Sequence, residues 1–188
     1  MKVAIHQPEH FPYLGFFEKM KEADLFVILD DVQYKKNNWQ NRNKFLNKNN
    51  VEEFFSIQVE KEATKKLINE VNVVEGPWRK KIIKKIQKNF NIDISDIYSH
   101  NKLIDINMES IVWARKKLNI NKPMILSSSL FIKTKSTQRL VDICNKVGAT
   151  EYISGLGGKS YLNESLFKCN ITYFEPKLPN YYTIIQNI

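Results

Sequence analysis

The chain has 188 residues, 43% of them hydrophobic and 26% charged, and a net charge of +9. That balance excludes a disordered or fibrous chain and fits one soluble domain spanning 1–188 with enough length for a full core. No apolar run approaches the roughly 18 residues that would span a bilayer, and two cysteines without CxxC spacing exclude a disulfide framework.

The N-terminus carries no secretory segment, which together with the cysteine usage points to the cytoplasm. Residues 3–5 form a short apolar run that ends at His6, Gln7 and Pro8, and Pro8 lacks the N–H that a central strand needs. Pro12 suits a first helical turn, and Tyr13, Phe16, Phe17 and Met20 recur on one face while Glu18, Lys19, Lys21 and Glu22 cover the other. Residues 25–29 are a second apolar run, ending at Asp30 and Asp31. A strand, a helix and a strand in this order form a parallel unit with a right-handed crossover, so His6, Gln7, Asp30 and Asp31 fall at one sheet edge, where α/β folds bind ligands.

Residues 31–45 mix amides, cations and aromatics without a period, including Gln33, Tyr34, Trp39, Gln40, Asn41 and Arg42. This composition predicts a ligand-facing loop, with a packed tryptophan among solvated neighbours as the alternative. Strands follow at 54–59 and 71–74, then a helix with Trp78, Ile82, Ile83, Ile86 and Phe90 inward. Its six cations have no aromatic interleaved on the polar face to stack bases, which argues for a solvated basic face and against nucleic acid. Residues 92–100 read as loop, and 105–118 as a helix with Met108, Ile111, Val112 and Leu118 inward. A buried strand at 124–126 opens into three serines. A helix capped by Ser136 or Thr137 stops at Gly148, a strand at 152–153 leads to Ser154, Gly155, Gly157, Gly158 and Lys159, and a helix at 160–167 with a strand at 171–174 completes the order. The tail, 176–188, includes Pro179 but no clear element. Alternating strands and helices predict an α/β fold with a mostly parallel, Rossmann-like sheet.

Ile5-His6-Gln7-Pro8, Tyr13-Leu14-Gly15, the run from Asp24 to Val32, Trp39-Gln40-Asn41-Arg42-Asn43, and Ser154-Gly155-Leu156-Gly157-Gly158-Lys159-Ser160-Tyr161-Leu162 together resemble the signature of the WbqC-like family. The resemblance implies a place among the proteins of O-antigen and related surface-polysaccharide biosynthesis. The entry from the first strand into its helix also looks distantly like HUP-type nucleotidyltransferases, although Phe16 stands where their second histidine would be. Lys133-Thr134-Lys135-Ser136 is loosely similar to their lysine loop.

His6 is the natural acid–base group, with Asp30 beside it. Gln7, His10, Asp31, Gln33, Trp39, Gln40, Asn41, Arg42, Ser154, Gly155, Gly157, Gly158, Lys159 and Tyr161 are the candidate substrate contacts, the glycine turn offering N–H groups and a cation to an anion or serving as a plain structural turn. The sequence lacks a metal-ligand pattern and names no cofactor. The resemblance, taken with these residues, implies transfer to a nucleotide-linked or amino sugar, with acyl or aminoacyl transfer to its amine as one form of it. Nucleotidyl transfer and non-catalytic binding of a sugar nucleotide or polyanion are the alternatives.

Overall fold

The computed structural model describes residues 1–177 and 181–188, so Pro179 of the tail lies outside the described residues. The chain forms two compact units, each assembled from separated segments: residues 1–7, 15–30 and 121–177 make the first, and residues 8–14, 31–120 and 181–188 the second.

The first unit is the α/β layer expected from the alternation. Strands β1 (Lys2–His6), β2 (Leu25–Ile28), β5 (Met124–Leu126), β6 (Glu151–Gly155) and β7 (Asn170–Phe174) form one sheet in the order β5-β2-β1-β6-β7, and every pairing is parallel. Counted within the unit this is 3-2-1-4-5, a doubly wound Rossmann-like order. The middle residues of β1 and β2 are apolar because both faces are covered: Val3, Ala4, Phe26, Val27 and Ile28 are fully buried. β5, expected to be buried, is half-buried because it is an edge with one neighbour. Helix α1 (Leu14–Glu22) buries Phe16, Phe17 and Met20 as the spacing predicts. Tyr13 precedes the helix, and Lys19 leaves the polar face: it is buried, and its ammonium donates to the Ile5 carbonyl at 3.3 Å. Helix α4 (Ser136–Val147) ends where Gly148 takes φ 71°, a left-handed turn that glycine adopts without cost. The helix expected at 160–167 is replaced by two single 3₁₀ turns, Leu156–Ser160 and Glu164–Leu166. There Asn163 accepts from the Ser165 hydroxyl at 2.8 Å, a local bond that competes with helix formation.

In the second unit, β3 (Arg42–Leu46) and β4 (Glu52–Ser56) form an antiparallel hairpin, so the end of the presumed loop is a strand. Phe45 and Phe55 face inward from it. The strand expected at 71–74 is reduced to isolated bridges, Val59 with Val73 and Asn72 with Lys102, and 95–99 is a 3₁₀ turn carrying the buried Tyr98. Helix α2 (Trp78–Phe90) buries Trp78, Ile82 and Ile86. Helix α3 (Leu103–Lys117) begins two residues before the expected start, and its buried face is Leu103, Ile106, Asn107, Ser110, Ile111 and Ala114. Met108, Val112 and Leu118 are only half-buried, because two polar residues share the inner face. Asn107 donates to the Gln40 carbonyl at 2.8 Å, and the Ser110 hydroxyl accepts the Phe11 amide at 3.1 Å. Among the described residues no helix is long and apolar enough to cross a membrane.

Candidate functional site

Parallel pairing gathers the carboxyl ends of the first unit's strands at one edge. His6 pairs with Ile28, and the β1–β6 register, whose last pair is Ala4 with Ile153, sets His6 level with Gly155 when continued two residues beyond that pair. From β1 the chain proceeds to β2 and β5 on one side, while β6 and β7 lie on the other. The two strands bearing His6 and Ser154 therefore flank the topological switch point, where connections diverge and leave a crevice outside the sheet.

The His6 imidazole stands 4.9 Å from the Phe16 ring, and its pKa is held well below the ordinary 6.5, first by burial and then by the Lys19 ammonium. It is therefore neutral at pH 7, the form that accepts a proton. Asp30, buried, lies two residues past β2, and one carboxylate oxygen accepts both the Ser127 hydroxyl at 3.1 Å and the Ser128 amide at 2.9 Å. It thereby ties the end of β2 to the turn after β5.

Ser154 is buried, and its hydroxyl donates to the Gly155 carbonyl at 3.2 Å. Gly158 closes over it: a Cβ there would sit 2.2 Å from Ser154 Oγ and 3.0 Å from Leu162 Cδ1. Gly155 and Gly157 have open space where a Cβ would point, so one glycine serves packing and two leave room. Lys159 directs its ammonium 5.0 Å from the Tyr173 ring, and Tyr161 is exposed. Gln7 is half-buried at the end of β1. A cleft of about 470 Å³ in the same unit is lined by Glu18, Glu22, Glu151 and Glu175 among others, and holds none of the residues singled out from sequence.

The remaining candidates belong to the second unit. His10 is fully buried, bonded to the Tyr98 hydroxyl at 3.0 Å and ringed by Phe11 and Phe55, and burial pushes its pKa down to about 3. Gln33 is exposed and donates to the Thr64 carbonyl at 2.7 Å. The Gln40 side chain is buried and accepts the Lys35 amide at 2.9 Å, which makes it a brace of its own loop. Asn41 is buried, Trp39 and Asp31 are half-buried, and Arg42 lays its guanidinium 5.1 Å from the Phe54 ring. Among the described residues no group of three or more His, Cys, Asp or Glu side chains could hold a metal ion.

The profile of the WbqC-like protein family matches residues 7–187, nearly the whole chain. This chain belongs to the WbqC-like family. His6 stands one residue before the matched span. A relative, the uncharacterized protein Rv1507c of Mycobacterium tuberculosis, is 28% identical over 190 residues, covering 93% of this chain and 82% of that protein. No solved structure matches the chain significantly.

For this WbqC-like protein, the sequence singled out His6, Asp30 and Ser154 but left Lys19, Ser127 and Ser128 out of the candidate site. The serine run was visible, yet nothing local linked it to Asp30. Lys19 carried no signal, because a lysine beside charged helical neighbours reads as solvated.

Proposed function

We propose that this protein is a transferase of surface-polysaccharide biosynthesis, acting on a nucleotide-linked or amino sugar and passing an acyl or aminoacyl group to the sugar's amine. The observation that carries the proposal is the arrangement at the switch point, where a neutral, half-buried His6 stands level with the start of the glycine turn that follows β6. The family name, linked to surface polysaccharides, supports the pathway. In this scheme the amine attacks the donor's acyl carbon, His6 takes the amine's proton as the C–N bond forms, and that proton goes to the donor's oxygen or sulfur as its bond to the acyl carbon breaks and it departs. Asp30 keeps the Ser127–Ser128 turn in place beside it. Gly155 and Gly157 leave backbone accessible to the substrate's anionic part.

The doubly wound strand order also favours a nucleotide at this edge, and nucleotidyl transfer is the second reading. A thermal-shift screen of nucleotide sugars, with acyl and aminoacyl donors, tests the proposal. A true ligand at 100 times its dissociation constant should stabilise by about 2.7 kcal/mol. Hydrogen exchange at residues 155–159 should slow with it. Stabilisation without protection there would move the site elsewhere, and pyrophosphate release from a nucleoside triphosphate would favour the second reading.

A further inference from the structure

The second unit contains a cleft of about 370 Å³ lined by the side chains of Tyr34, Lys36, Asn41, Glu60 and Lys61, among others. That volume lies within the range of small-molecule sites. Two of these residues carry buried polar atoms with no hydrogen-bond partner: the Tyr34 hydroxyl and Asn41 Oδ1. Their side chains are nearly inaccessible, Tyr34 at 2% and Asn41 at 8% exposure. Each such atom costs stability until something pairs with it.

Turning the Asn41 amide over does not relieve the cost. Its Nδ2 donates to the Ile57 carbonyl at 3.1 Å, so the reversed amide would set oxygen against oxygen. Oδ1 therefore waits for a donor. The Tyr34 hydroxyl can both donate and accept, and burial raises its pKa to about 12, which keeps its proton on at neutral pH.

The charge of the wall is one-sided. Glu60 is already engaged, one oxygen by the Lys66 ammonium at 2.8 Å and the other by the Asn72 amide at 2.7 Å. Lys36 and Lys61 are exposed and have no ion-pair partner among the described residues. A ligand hydroxyl satisfies an orphaned acceptor and an orphaned hydroxyl together, and an anionic group answers two lysines.

We propose that this cleft is a second small-molecule site, which takes a phosphorylated sugar with its hydroxyls on Tyr34 and Asn41 and its phosphate between Lys36 and Lys61. The site stands on these residues alone and does not depend on the sheet edge of the first unit.

Calorimetric titration of the full chain with glucose 1-phosphate and glucosamine 1-phosphate, beside inorganic phosphate and free glucose, tests it. At least one hexose phosphate should bind saturably and at least tenfold more tightly than phosphate or glucose. Tyr34→Phe should weaken that binding roughly five- to tenfold, the worth of one hydrogen bond, and leave the Tm of the ligand-free protein unchanged or higher. The double variant Lys36→Ala/Lys61→Ala, on exposed positions, should weaken binding further and flatten its salt dependence. His6→Gln should bind as the parent does. Absence of binding by both hexose phosphates, equal affinity for inorganic phosphate, parental affinity in Tyr34→Phe, or a Tm several degrees lower in that variant would each overturn the proposal.

Discussion

Acid should unfold the second unit through His10. The imidazole is fully buried, its ring centroid 5.2 Å from those of both Phe11 and Phe55, and its charged form would have to shed water among aromatic rings. Its pKa in the folded protein is about 3, against about 6.5 in an unfolded chain. The unfolded state therefore binds the proton more readily, so the stabilisation is complete above about pH 6.5 and is lost as pH falls from there towards 3. At pH 4 the loss amounts to about 3 kcal/mol, a large part of an ordinary domain's stability. All three tryptophans, Trp39, Trp78 and Trp113, lie in the second unit, so urea unfolding followed by tryptophan fluorescence reports on that unit. Measured at pH 7, 6, 5 and 4, the parent should lose about 3 kcal/mol more than His10→Gln, which cannot titrate, with the slope approaching its limit of about 1.4 kcal/mol per pH unit only below pH 6. The variant starts lower at pH 7 because glutamine fits the aromatic cage poorly, but its slope keeps only the contribution of groups common to both proteins. Equal slopes between pH 6 and pH 4 would refute a buried, neutral His10.

Gly158→Ala should cost about 1–3 kcal/mol by urea unfolding monitored through circular dichroism, because its Cβ would meet Ser154 Oγ at 2.2 Å; Ser154→Ala should recover part of that, and Gly157→Ala should be neutral. Asn43→Ala should cost about 2–3 kcal/mol by tryptophan fluorescence, since Asn43 Nδ2 donates to the carbonyls of His10 at 3.1 Å and Phe11 at 2.7 Å and holds Phe11 at φ 44°. An NMR titration of labelled histidine should find His6 neutral well below pH 6.5, with its midpoint raised in Lys19→Met as the neighbouring charge is removed. On the basic helix, Lys81→Glu should leave urea stability within about 0.5 kcal/mol, whereas Lys85→Glu should cost up to about 1 kcal/mol, because Lys85 pairs with Glu53 at 3.0 Å.

The parallel sheet and its edge were legible from sequence because their signals are local. Apolar runs of two to five residues, a proline that stops one of them, and polar groups directly after them place His6, Asp30 and Ser154 at strand ends as soon as the strands are taken as parallel. β3 was not legible, since Arg42-Asn43-Lys44-Phe45-Leu46 has poor strand propensity and is held by its pairing with Glu52–Ser56. The inner face of α3 was misphased for a related reason. Asn107 and Ser110 look solvent-facing in sequence and are buried because they meet the backbone of Gln40 and Phe11, remote in the chain.

The sequence by itself determined the fold class, the parallel order of local units and the family, because each depends on composition and spacing over short windows. Tertiary structure alone decided which polar side chains are partnered. Asp30 holds Ser127 and Ser128, Gln40 braces its own loop, His10 is sealed behind Tyr98, and Tyr34 and Asn41 are left with polar atoms unmatched. A side chain's chemistry is written in its residue type, but whether that chemistry is spent or available depends on which distant backbone and side-chain groups come within three ångströms of it.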